Sequence, residues 1–160
     1  LMKIRQRNKR IKQRMRGGEN MNIEVNVIAI ILAAVAAMGV GFLWYSPILF
    51  AKPWMQLMGY TTKSMEEAKK GMGKMYALSF IAALVTAYVL SHVMTLSQNF
   101  FDYPRLTTGL SSAFWMWLGF IMPVQLTDVI FGGKKWKLLG INTGYQLASV
   151  IVMGIVLGLL

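Results

Sequence analysis

Four long runs free of charged residues divide this chain, and they leave little of it over. A bilayer core takes about 20 apolar residues in helical form. Val27 to Tyr45 supplies nineteen, Met75 to Ser97 twenty-three, Leu106 to Thr127 twenty-two and Leu138 to Leu160 twenty-three. A buried helix of a soluble protein at this length would show one polar stripe, and these runs do not. Hydrophobic residues make up 56% of the chain and charged ones only 14%, too few for the surface of a soluble domain. The expected fold is all-α: one integral membrane four-helix bundle over residues 21–160, preceded by a basic tail, residues 1–20. The first run has the basic flank of a signal peptide. Trp44, Tyr45, Ser46 and Pro47 offer no small-x-small cleavage site, so it reads as a span.

The net charge of +11 invites a nucleic-acid reading until its position is considered. Eight of the 17 Lys and Arg residues lie among the first sixteen: Lys3, Arg5, Arg7, Lys9, Arg10, Lys12, Arg14 and Arg16. Four spans place residues 46–74 and 128–137 on one side of the bilayer. Those loops hold Lys52, Lys63, Lys69, Lys70, Lys74, Lys134, Lys135 and Lys137, against Arg105 alone on the other side once the tail is set aside. With the tail counted, the positive-inside rule gives no orientation. The chain opens on Leu1, Met21 directly precedes the first span, and codons for Gly17, Gly18 and Glu19 can spell a ribosome-binding site. The expectation is therefore a native start at Met21, both termini outside and the two lysine loops cytoplasmic. The alternative is a real polybasic arm that binds anionic lipid or RNA phosphates and inverts the topology. On the first reading the partner is the lipid bilayer and no nucleic acid is expected.

Helices in lipid associate through small residues that permit close approach. Ala29, Ala33, Ala37 and Gly41 recur every four residues in the first span, and Ser79, Ala83, Ala87 and Ser91 in the second. The fourth has Gly140, Gly144 and Ala148, with Gly154 and Gly158 on another face open to a homodimer. The third span differs: Phe114, Trp115, Trp117 and Phe120 crowd its middle, and Pro123 leaves the Gly119 carbonyl without its donor. A repeat also runs through the chain. Gly41, Phe42, Pro47, Phe50, Lys52 and Trp54 close the first span, and Gly119, Phe120, Pro123, Phe131, Lys134 and Trp136 the third, in the same order. Two parallel two-helix repeats would account for it.

Gly41, Phe42, Leu43, Trp44, Tyr45, Ser46 and Pro47 form a distinctive run, continued by Phe50, Ala51, Lys52, Pro53 and Trp54. Together with Leu57 to Thr61, the Gly119-Phe120 and Pro123 break, Lys135-Trp136 and the Ile141-Asn142-x-Gly144-Tyr145 element, it resembles the bacterial family called domain of unknown function 1761. The resemblance covers about residues 22–160. It implies a prokaryotic four-span protein of the inner membrane starting near Met21, and it implies no activity and no functional residues.

Polar groups inside a membrane are costly and therefore the first candidates for function. Tyr45 and Ser46, Tyr76 and Ser79, Gln125 and Asp128, and Asn142 and Gln146 sit near one end of the four spans. Asn142 lies roughly 6 Å and Gln146 roughly 12 Å into the fourth span. A polar cup facing the cytoplasm follows, with Tyr45, Ser46, Tyr76, Gln125, Asp128, Asn142 and Gln146 as candidate ligand-binding residues of a protein that binds or transports an unidentified small solute, transport requiring a dimer. The competing reading makes them interhelical glue in a structural or accessory protein. His92, the single histidine, belongs near the outer face as a helix-end donor. With no Cys and no paired carboxylates or metal-ligand spacing in the spans, the expectation is no cofactor, no metal and no enzyme activity.

Overall fold

The structure, a computed structural model, describes residues 26–101 and 103–160, apart from the side chains at 62, 65 and 68. The basic tail and the Met21 start lie outside the described residues. The chain forms α1 (Val27–Trp44), α2 (Ala51–Met58), α3 (Thr62–Lys69), α4 (Met72–Phe101), α5 (Arg105–Met116), a π-helical stretch (Trp117–Ile121), α6 (Met122–Ile130) and α7 (Trp136–Leu159). No strand occurs among the described residues. Four rods are long and apolar enough to cross a membrane: α1, α4, the continuous rod Arg105–Ile130, and α7. This is a multi-pass membrane protein.

Consecutive spans run up and down, and the first and last also meet. α1 packs on α4 and α7, the third rod packs on α4 and α7, and α7 touches every other span. The Asn26 side chain starts α1 by accepting from the Ala29 N–H at 3.1 Å, the usual role of an Asn at this position. Its amide also reaches the Leu160 carbonyl at 3.4 Å, joining the ends of the first and last spans.

The alanine ridge of α1 faces inward. Ala29, Ala33 and Ala37 are buried against Ala87, Leu90 and Met94 of α4 and Val150, Met153 and Leu157 of α7. Ala83 packs on the same core, Ser91 is half-buried and Ala148 partly so, while Ser79 is exposed within the chain. Gly140 is exposed, and a Cβ added there would meet nothing within 4 Å, so no neighbouring helix uses its small size.

The closest approach of the bundle involves the span whose small residues the aromatic cluster obscured. Thr108, Gly109, Ser112 and Ala113 form a buried face on α5. A Cβ on Gly109 would collide with the Gly154 carbonyl oxygen, and one on Gly158 would lie 2.9 Å from Leu106 Cα. Gly154 and Gly158 are thus covered inside the chain, and that ridge is not free for a second copy.

Pro123 acts as its missing N–H requires. Met122 donates to Trp117, five residues back, so the break before Pro123 is a π turn that absorbs the lost donor. Trp115 and Phe120 point outward at 63% and 73% exposure. The Trp117 indole instead donates to the Thr143 carbonyl of α7 at 2.9 Å.

The ring order allows two hairpins related about the bundle axis, as the repeat implies. Locally the hairpins differ, because α1 lacks a π turn and only the first hairpin carries α2 and α3 between its spans. α3 is a short polar helix whose described side chains are largely exposed. α2 was not foreseen, since Pro53 reads as a loop residue; within a first turn its missing N–H costs no helical bond. Gly59, at φ 73°, ends α2. α4, with 30 residues and about 45 Å long, outruns the 75–97 span. Its far end carries an exposed aromatic group in which Phe101 and Tyr103 stack at 5.6 Å, suited to a headgroup belt. His92 bonds the Tyr88 carbonyl at 2.9 Å in mid-helix, because α4 continues to Phe101, and so does not cap a helix end.

Candidate functional site

Two short segments meet where α1 ends and α7 begins. The Trp44 indole N–H donates to the Ile141 carbonyl at 3.1 Å. Its ring lies over Gly144, where an added Cβ would come within 3.0 Å of it. Tyr145 returns the arrangement over Gly41, whose Cβ would sit 3.2 Å from the tyrosine hydroxyl. The Tyr45 hydroxyl donates to Asn142 Oδ1 at 3.3 Å, and its ring meets Tyr145 edge-on at 5.1 Å. The two most distinctive sequence elements therefore form one crossing, in which each glycine seats an aromatic ring from the other helix.

Beside the crossing lies an open cleft of about 420 Å³. Tyr45, Gln125, Asp128, Asn142 and Gln146, from three spans, all line it. Trp54 and Met58 of α2 form another wall, with Lys134, Leu138 and Tyr145 completing it. Trp54 is held edge-on to Tyr45 at 5.4 Å and stacks on Tyr60 at 5.5 Å. Tyr76 faces a different cavity, about 290 Å³, shared with Ser79, Gly41, Tyr45 and Tyr145. Ser46 lines neither space. Its carbonyl accepts from the Leu49 and Ala51 N–H groups as the chain turns out of α1, and its buried Oγ has no partner. A further groove between α2 and α3, lined by Lys52, Glu66 and Lys69 among others, contains none of the candidate residues.

Within the cleft the polar groups are sparsely paired. Tyr45 bonds Asn142, and Asp128 bonds Lys134 at 2.7 Å. The amides of Gln125 and Gln146 make no hydrogen bond to a described residue. Among the described residues no three His, Asp or Glu side chains cluster as metal ligands. The chemistry on offer is hydrogen bonding from three amides, two phenols and a carboxylate with its counter-ion.

Both side chains of the Asp128–Lys134 pair are about half exposed, and such a pair adds at most about 1 kcal/mol. Lys134→Met is therefore expected to lower the unfolding free energy in detergent titration by less than about 1 kcal/mol. A larger loss would show that the pair is enclosed.

The sequence reading left out Tyr145, Trp54 and Met58 as lining residues. Tyr145 was legible as part of the Ile141–Tyr145 element, while Trp54 and Met58 depend on a helix that was not expected.

Residues 28–158 match the model of a family described as a protein of unknown function (DUF1761). The chain belongs to this family. The match takes in all four spans and both halves of the aromatic crossing, so the family likeness read from Trp44 to Pro47 and Ile141 to Tyr145 holds. No curated protein and no solved structure gives a significant match.

Proposed function

We propose that this member of the family binds a small polar solute in the cleft between α1, α6 and α7, as a multi-pass protein of the bacterial inner membrane. The observation that carries the reading is the pairing pattern. Interhelical glue would bond across helices, each bond adding about 0.6–2 kcal/mol. At this end of the bundle most of that work falls to the indoles of Trp44 and Trp117 on α7 carbonyls. Gln125 and Gln146, both partly exposed, line the open cleft without a hydrogen bond to a described residue, which leaves their amides available to a partner from solution.

The eight lysines of the 46–74 and 128–137 loops flank the same end, and with residues 1–20 set aside the positive-inside rule favours a cytoplasmic position for it. The other half of the bundle is filled by Leu90, Met94, Met153 and Leu157. Binding, with no catalytic step, is accordingly the proposal, and conduction would require the spans to move apart.

The test is thermal unfolding of the protein in nanodiscs against a panel of small polar metabolites. A binder present at 100 times its dissociation constant stabilises by about 2.7 kcal/mol. That gain should vanish in Gln125→Ala and Gln146→Ala, while their stability without solute changes by less than about 0.5 kcal/mol. If the panel gives no shift and the two variants instead lose stability and abundance, the structural-protein reading is correct.

A further inference from the structure

Deeper than the cleft, α1, α4 and α7 line a partly open cavity of about 240 Å³ that adjoins the Tyr76 cavity through Met38, Ser79 and Tyr145. Tyr145 and Gln146 line both this cavity and the cleft, so these two side chains stand between them. The polar part of the cavity wall comes from Ser79, Thr86, Tyr145, Gln146 and Ser149, and no charged residue lines it.

Ser149 is the one buried polar member of this wall. It is 4% exposed, and its Oγ has no hydrogen-bond partner among the described residues. Hydroxyls in apolar helices normally turn back to the carbonyl one turn earlier. Thr86, Thr95, Thr108, Thr127 and Thr143 do so here. Ser149, like the exposed Ser79 on the same wall, makes no such bond to a described residue, and Ser149 is the one of the two that is buried. A buried hydroxyl left unbonded beside a cavity calls for a partner inside that cavity. Asn142, Gln146 and Ser149 follow at four- and three-residue spacing, which puts them on one face of α7. Ser149 lies roughly 16 Å along the helix from Leu138, near the middle of a hydrocarbon core about 30 Å thick.

We propose that this cavity is the inner seat of the solute admitted by the cleft, and that it takes a neutral molecule bearing hydroxyl or amide groups. The proposal rests on the cleft reading above and narrows it. An ion at this depth would need a countercharge, and the wall holds none. Hydroxyl and amide groups offer donors and acceptors suited to an uncharged solute. The volume falls below the roughly 300–1,000 Å³ of pockets for drug-sized ligands, which points to a small metabolite. Val150 and Met153 close the inner end.

The chain contains no cysteine, so single cysteines report access without background. A cysteine thiolate attacks a methanethiosulfonate to form a mixed disulfide and release methanesulfinate, and the thiolate forms only where water reaches. Gln125→Cys probes the cleft, Ser149→Cys the cavity and Leu90→Cys the closed core, with Leu90 1% exposed. Each is reacted in nanodiscs with neutral methyl, anionic sulfonatoethyl and cationic trimethylammonioethyl methanethiosulfonate. Gln125→Cys should react with all three. Ser149→Cys should react with the neutral reagent at least about tenfold faster than Leu90→Cys, and with the charged reagents no faster. Ala83→Cys, on the facing wall, gives the same reading if Ser149→Cys does not fold. A reactive Gln125→Cys beside cavity cysteines as slow as Leu90→Cys would overturn the inner seat and leave the cleft standing. Equal labelling of the cavity by charged reagents would overturn its preference for neutral solutes. An unreactive Gln125→Cys would remove the cleft, and this proposal with it.

Discussion

Gly109→Ala is expected to lower the unfolding free energy of the bundle by roughly 2–3 kcal/mol, at the upper end of the range for overpacking. The new Cβ would strike the Gly154 carbonyl oxygen, and a helix backbone cannot turn aside as a side chain does. Relief requires the third and fourth spans to separate. Lipid supplies no hydrophobic drive to hold them together, so stability depends on this close fit. Gly39→Ala and Gly140→Ala form the control. An added Cβ at either position meets nothing within 4 Å, and helix propensity alone predicts a gain of up to about 1 kcal/mol. Unfolding by detergent titration of all three variants checks the contrast. A neutral Gly109→Ala would mean that α5 and α7 are not in contact through their glycines.

Trp44→Ala is expected to be at least as damaging, at roughly 3 kcal/mol, in the range for deletion of a packed aromatic ring. It removes the ring seated on Gly144, the contact with Phe50 at 4.8 Å and the bond to the Ile141 carbonyl. Trp44→Phe separates these contributions, since it keeps much of the bulk and loses the indole donor, for a cost of about 1 kcal/mol. Gly144→Ala should resemble Trp44→Phe in size, because its Cβ would displace the indole by a few tenths of an ångström. If Trp44→Ala and Trp44→Phe were equally harmful, the hydrogen bond and not the packing would hold the crossing.

The spans were legible because each is a long uncharged run whose length matches the bilayer, and the mean of many residues decides it. The helices extend to Phe101 and Ile130 beyond the runs read from sequence, since helical hydrogen bonding continues through polar ends where hydrophobicity no longer marks it. The π turn was half legible. Pro123 announced a lost bond at Gly119, but which carbonyl would gain a donor depends on packing against α7, where Trp117 finds Thr143. Gly109 was missed because the aromatic residues around it dominated the pattern. The glycine itself carries no period that distinguishes it from Gly119, whose surroundings are open.

The cleft was more legible than its neighbours. Five polar residues at matching depth in three helices converge because an up-and-down bundle brings the ends of α1 and α6 beside the start of α7. Tyr76 had the depth but lies on the other side of Tyr45, a rotational position that depth alone does not determine. Ser149 shares a face of α7 with Asn142 and Gln146, so its spacing was present in the chain. Its significance lies in the missing hydrogen bond, which only three-dimensional placement reveals.

The proposed role of the cleft requires its amides to serve a solute and not one another. A structure of the native protein purified from its own membrane in nanodiscs tests this most directly. The predicted result is a compact non-protein feature within hydrogen-bonding distance of Gln125 and Gln146, with Tyr45 still bonded to Asn142. A collapsed cleft, with the Gln125 and Gln146 amides bonded to each other or to neighbouring backbone, would contradict it.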